Sequence, residues 1–201
     1  MRPVDGNVGD NESEADVTAI LDRLSDGIAD DSRRVALILA AGHGKRIRSD
    51  TSKMLFPIWG KPTATRVADA AATGLDSTAQ VIVVGIKGLE VADAIGPRRD
   101  RVFAFQENLV RGQPAGTGDA VRVALDSFVP PTSGDRDIYV ALGDMGLASA
   151  AGFAAFRTEF ERGPCHMMIL SGLYTGPIEE NTYGRIVRVP DCDAAGRTAG
   201  E

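Results

Sequence analysis

The sequence predicts an α/β fold of Rossmann-like type, with a mainly parallel central sheet and helices on both faces. Two observations carry this. Four short apolar runs rich in β-branched residues, 34–39, 80–84, 102–105 and 137–142, alternate with segments of helical periodicity. Alternation of that kind builds βαβ units, whose crossovers place helices against a parallel sheet. The first run, Val35-Ala36-Leu37-Ile38-Leu39-Ala40-Ala41, also ends abruptly at Gly42 and Gly44. Continuous apolar runs are typical of strands buried on both faces, and ligands of open α/β sheets bind beyond the carboxyl ends of such strands.

In chain order, residues 1–14 are dominated by Gly, Asn, Asp and Glu and are expected to be disordered. Residues 15–33 read as an amphipathic helix and linker, with Val17, Ile20, Leu21, Leu24 and Ile28 forming one stripe that docks on the main domain. The main domain is expected over 34–190. Its helices fall at 62–72, with Pro62 in the first turn, and at 89–95, 117–127 and 149–160. The Val129-Pro130-Pro131-Thr132-Ser133-Gly134 stretch is a loop before the fourth strand. An apolar run, 165–173, and a β-prone piece, 185–189, follow, and 191–201 is a polar tail.

Composition narrows the function. With 43% hydrophobic and 25% charged residues the chain has the make-up of an ordinary globular protein. A net charge of -6 gives no global basic field, so nucleic acid is not an expected partner and any phosphate binding must be local. The apolar runs are too short to cross a bilayer, and the N-terminus has no apolar signal core. Cys165 and Cys192 have no metal-ligand spacing and form no disulfide framework, and His43 and His166 are too few for a histidine-rich metal site. A reducing cytoplasm is the expected compartment.

The glycine loop itself excludes two familiar phosphate binders. A Walker A loop needs Ser or Thr after Gly-Lys, but Gly44-Lys45 is followed by Arg46. A dinucleotide fingerprint needs a third glycine where Ile47 stands, and no acidic residue follows the second strand, where Gly85-Ile86-Lys87 is found. What remains is Leu-Ala-Ala-Gly-x-Gly-x-Arg followed by Lys53. The guanidinium of Arg46 and the ammonium of Lys53 are complementary tools for a polyphosphate.

Leu39-Ala40-Ala41-Gly42-His43-Gly44-Lys45-Arg46-Ile47, then Lys53, Pro57 and Gly60-Lys61-Pro62, resemble the signature of sugar-1-phosphate nucleotidyltransferases. Among these the sequence is most similar to the bacterial N-acetylglucosamine-1-phosphate uridyltransferase domain. Lys45 stands where the family has Thr, and Ser52 where it has Pro. Three further segments extend the resemblance. Gly116-Thr117-Gly118-Asp119-Ala120-Val121 resembles a base-reading turn whose upstream glutamine reads uracil; Gln106, which ends a predicted strand, and Gln113 both compete for that place, with Gln106 favoured. Leu142-Gly143-Asp144 resembles the family's metal-binding Gly-Asp. There the family continues with a Pro, while this chain has Met145-Gly146-Leu147, which implies a more mobile loop. Tyr183-Gly184-Arg185-Ile186-Val187 resembles a sugar-contacting turn.

The resemblance implies an enzyme of nucleotide-diphospho-sugar transferase fold that joins a nucleoside triphosphate, UTP favoured, to a sugar-1-phosphate, N-acetylglucosamine-1-phosphate favoured, and releases pyrophosphate. It implies Arg46 and Lys53 as catalytic groups. Nucleotide contacts are implied at Leu39, Ala40, Ala41, Gly42, Gly44, Arg46, Lys53, Gln106, Gly116 and Thr117, sugar contacts at Gly143 and Gly184, and a Mg²⁺ ligand at Asp144. Relatives continue past the last matched segment, so the acceptor half is expected to be incomplete. A nucleotide- or sugar-nucleotide-binding module without turnover, or a cytidylyltransferase with the same loop, are the alternatives.

Overall fold

The computed structural model describes residues 14–42, 51–111, 115–132 and 134–182. The chain divides into two units, Met1–His166 and Met167–Glu201, with the division inside the 34–190 stretch expected as one domain. In the second unit the described residues hold a single 3-10 turn, Ile178–Glu180, and no strand.

The first unit is built on four strands, β1 Arg34–Leu39, β4 Gln80–Val84, β5 Arg101–Phe105 and β6 Asp137–Leu142. Between β1 and β4 lies a small antiparallel hairpin, β2 Pro57–Ile58 and β3 Lys61–Pro62. All pairings in the main sheet are parallel, in the order β5-β4-β1-β6. The chain moves outward from β1 to β4 to β5, then returns to the other side of β1 for β6. The gap between the carboxyl ends of β1 and β6 is therefore the point where strand order reverses, the place where an open parallel sheet leaves a crevice.

The predicted strands appear within one residue of their expected limits. The helices are α1 Glu14–Leu24, α2 Thr63–Leu75, α3 Gly88–Ile95, α4 Glu107–Val110, α5 Thr117–Asp126 and α6 Ala150–Arg162. They cover the two faces unequally. On one face Ala36, Ile38, Ile82, Val84, Phe103 and Tyr139 pack under residues of α1, α2, α3 and α6. On the other, Val35, Leu37, Val81, Val83 and Val102 meet Ala120 and Ala124 of α5. Each fully buried Val, Leu or Ile in these layers contributes about 1.5–3 kcal/mol of transfer free energy. The thinly covered face is open over β6, where Ile138, Val140 and Leu142 are exposed.

The amphipathic N-terminal stripe is split between the faces. Val17, Leu21 and Leu24 join the first layer, but the helix stops at Leu24 and Ile28 packs against the second layer. The turn between them closes the outer edge of β5. Asp26 N–H donates to Arg101 O at 2.8 Å and Phe103 N–H donates to Ser25 Oγ at 2.9 Å. Satisfying an edge strand in this way removes a template for unwanted pairing.

Candidate functional site

The carboxyl end of β1 continues through Ala40 and Ala41, both buried, to Gly42. Ala40 N–H donates to Val83 O at 2.8 Å, so the strand geometry runs on past Leu39 toward the loop. On the far side of the crevice β6 ends at Leu142, and Gly143 N–H donates to Leu39 O at 2.9 Å. Gly143 is needed for packing: a Cβ there would lie 3.0 Å from both Ala40 Cβ and Met54 Sδ. That contact brings the next residue, Asp144, to the crevice mouth.

Lys53 reaches the same mouth from a 3-10 turn, Lys53–Leu55. The buried hydroxyl of Ser52 caps this turn by accepting from Met54 N–H at 3.3 Å, and Met54 is buried beneath it. The Lys53 ammonium donates to the Asp144 carboxylate. It also lies across Gly42, where an added Cβ would sit 3.5 Å from Lys53 Cε and 3.8 Å from Nζ. Side-chain exposures of 27% for Lys53 and 35% for Asp144 leave both charges open to solvent. A pair so exposed is worth about 0–1 kcal/mol, so an entering anion and cation can part it at little cost.

The segment after Asp144, where a more mobile loop was expected, makes packed contacts at Gly146. Gly146 is buried, and a Cβ on it would lie 2.7 Å from Thr63 Cγ2 and 2.8 Å from Ile58 Cδ1. Its carbonyl accepts from Arg66 Nε at 2.8 Å. A side chain here, such as the proline that the family resemblance places at this position, would crowd Thr63 of α2 and Ile58 of β2. That hairpin turns at Trp59 and Gly60, both with positive φ (50° and 79°), as a two-residue turn between twisted strands requires. The Arg66 guanidinium stands 4.7 Å from the Trp59 ring centroid.

A second polar cluster lies at the end of β5, two strand spacings or about 10 Å from β1. Gln106 is only 3% exposed. Its Nε2 donates to Asp119 Oδ2 at 2.9 Å and to Gly116 O at 3.3 Å. Asp119 also accepts from Asn108 Nδ2 at 3.2 Å and from Arg122 at 2.8 Å. These donors, that of Gln106 foremost, hold the Asp119 carboxyl below its ordinary pKa. Gly85 joins the two clusters: a Cβ on it would lie 2.9 Å from Ala41 O and 3.1 Å from Leu109 Cδ2.

Leu39, Ala40, Ala41, Gly42, Lys53, Gly143 and Asp144 thus gather at the β1–β6 crevice, while Gln106, Gly116 and Thr117 gather at the end of β5. Gly44, Arg46, Gln113 and Gly184 lie outside the described residues. Sequence reasoning missed Asn108, Asp119, Arg66 and the close approach at Gly85. Asp119 did stand inside a recognised motif, three residues after Gly116, where a helix first turn brings a side chain back toward its own N-terminus. No group of three or more His, Cys, Asp or Glu side chains suited to a metal occurs among the described residues, and no helix among them is long and apolar enough to cross a membrane.

Residues 36–176 match the profile of the MobA-like NTP transferase domain. The chain is 39% identical over 164 residues to the bifunctional protein GlmU of Ralstonia nicotianae, a match covering 80% of this chain and 31% of that protein. It is 32% identical over 153 residues to the bifunctional protein GlmU of Rhodopseudomonas palustris, covering 76% and 31%. The chain thus spans about a third of the length of these curated relatives. Among solved structures, a nucleotidyl transferase from Methanothermobacter thermautotroptrophicus superposes with a TM-score of 0.51 at 18% identity, over 63% of this chain and 57% of that one, a likeness of fold.

Proposed function

Because this chain belongs to the family of MobA-like NTP transferase domains, we propose that it carries the nucleotide-handling part of a nucleotidyl transfer. UTP is the favoured donor and N-acetylglucosamine-1-phosphate the favoured acceptor, in keeping with the GlmU relatives. The observation that carries the proposal is the meeting of Lys53 and Asp144 across Gly42, at the reversal point of the sheet.

In this reading a phosphate oxygen of the sugar phosphate forms a bond to the α-phosphorus of the triphosphate. The bond from that phosphorus to the bridging oxygen breaks, and pyrophosphate leaves with the electron pair. Such chemistry asks a protein mainly for positioning and charge neutralisation. The Lys53 ammonium faces the charge that builds on the α-phosphate. The glycine backbone at 42 lets the phosphates come close. Arg46 is proposed to meet the leaving phosphates.

Asp144 suits a hard divalent cation such as Mg²⁺: it offers carboxylate oxygen, it is solvent-accessible, and among the described residues no cluster of acids neighbours it. Mg²⁺ commonly takes one or two carboxylates and fills its remaining positions with phosphate oxygens and water. When bound it would supply neutralisation of phosphate charge.

The test is UTP binding and pyrophosphate release. Asp144→Asn should weaken Mg²⁺-dependent UTP binding while costing under about 1 kcal/mol of stability, because the ion pair is exposed. Lys53→Ala should lower turnover by roughly 10²–10³. Unchanged UTP affinity in Asp144→Asn overturns the metal role, and unchanged turnover in Lys53→Ala overturns the catalytic one. Binding without any pyrophosphate release would fit a module that holds nucleotide but does not turn it over.

A further inference from the structure

The structure points to Asp119 as the residue that sets which bases the site accepts, by fixing which end of the Gln106 amide is left without a partner among the described residues. We infer this on the reading, implied by the family resemblance, that Gln106 meets the base of the proposed nucleotide substrate, so the inference rests on that reading. A glutamine amide offers two donors at its nitrogen and an acceptor at its oxygen, and by itself it can turn either end to a ligand. Here it cannot. The two groups facing one end, the Asp119 carboxylate (2.9 Å) and the Gly116 carbonyl (3.3 Å), are acceptors only. Hydrogen-bond chemistry therefore assigns the NH₂ to that side without ambiguity. Turning the amide over would set oxygen against oxygen, one of them charged, in a site where Gln106 is almost wholly buried.

Asp119 is itself locked. Its other oxygen accepts from Asn108 and Arg122, and it sits in the first turn of α5, where negative charge is favoured. The Gln106 carbonyl oxygen is left as the only valence for a ligand, and among the described residues no group donates to it. A base placed there must bring a donor. Uracil and thymine carry a ring N–H flanked by two carbonyl groups, and guanine one between a carbonyl and an amino group; cytosine and adenine present a bare ring nitrogen at the matching position, which opposes the carbonyl oxygen and weakens their binding. Asp119 is thus a positioning residue for specificity, one step removed from the ligand.

The experiment is a comparison of UTP and CTP affinity in the full chain with Mg²⁺ present, for the unaltered protein and for Gln106→Ala, Asp119→Asn and Arg122→Ala. A hydrogen bond that discriminates between bases should make the unaltered protein prefer UTP by roughly tenfold or more. Asp119→Asn can accept or donate toward Gln106 and frees the amide to turn; the UTP:CTP ratio should fall by about tenfold or more, with CTP binding gained as well as UTP binding lost. General loosening of the turn would weaken both nucleotides together and leave the ratio alone. Arg122→Ala removes one support of Asp119 but leaves the amide contact, and the ratio should hold. If Gln106→Ala loses the preference while Asp119→Asn keeps it, the role given to Asp119 is overturned and base reading by Gln106 stands. If Gln106→Ala keeps the preference, or the unaltered protein has none, base reading by Gln106 fails and the inference falls with it.

Discussion

Tyr139 shows how a single polar atom can be carried at a loss. Its ring packs edge-on against Phe156 and Phe160, with centroids 6.4 and 6.1 Å apart, between the sheet and α6. Its hydroxyl is buried and has no hydrogen-bond partner among the described residues. Burial, with Asp137 and Glu161 nearby, pushes the phenol pKa up, so the group stays neutral across the physiological range. A buried hydroxyl without a partner costs roughly 1–3 kcal/mol, while the ring's burial is favourable. Tyr139→Phe keeps the ring and removes the cost. It should unfold at the same urea concentration as the unaltered protein or at a higher one, by up to about 1 kcal/mol; a loss of more than that would reveal a partner for the hydroxyl. Asp144 and Lys53 present the opposite case, charged groups with exposure to spare, where substitution should be felt in binding far more than in stability.

Between elements, α2 packs tightly against α6, and Gly74 makes the approach possible. A Cβ on Gly74 would lie 2.5 Å from Phe153 Cβ, and closer still to the Ala150 carbonyl oxygen. Two effects compete in Gly74→Ala. Alanine favours the helix by about 1 kcal/mol over glycine. Overpacking against a neighbouring backbone costs about 1–3 kcal/mol and has no flexible side chain to absorb it. Packing should win, with a net loss of about 1–2 kcal/mol in chemical denaturation; a stabilised variant would mean that α6 can slide outward freely. Much of this layer was legible beforehand. The strands were found because their apolar runs are short, dense in Val and Ile, and bounded by Gly, Pro or charge. The β2–β3 hairpin and α4 were not, because two-residue strands and a one-turn helix have no period to detect. Ile28 fitted the helical stripe by spacing alone, and only the end of α1 at Leu24 sent it to the other face.

For the molecule as a whole, strand order decides where chemistry can occur. That Gly42 and Asp144 each follow a strand could be read from the chain. That their strands are neighbours could not, since several orders satisfy the same alternation of elements. The return of the chain to place β6 beside β1 is what brings residues 91 positions apart into one ion pair. The Gln106–Asp119 contact was hidden for a similar reason: it depends on how the 116–119 turn folds back over the end of β5. Arg101 marks the opposite end of the sheet. It is buried, bonded to Gln80 and to the Ile95 and Gly96 carbonyls, and burial lowers its pKa to about 10. With a folded-state pKa below the unfolded one, its burial penalty is present at neutral pH and lifts only as pH rises above about 10, so it supplies no stability switch in the working range. The stack of Trp59 on Arg66, and the bond from Arg66 to the carbonyl of Gly146, tie an indole to the segment that begins at Asp144. This tryptophan is the chain's single one, and it is 82% exposed. Its emission is therefore a built-in optical gauge of that segment. Adding UTP with Mg²⁺ should change the intensity or colour of the fluorescence, and Asp144→Asn should blunt the response. A signal that stays flat while UTP binds would mean that the segment behind Asp144 does not respond to the nucleotide.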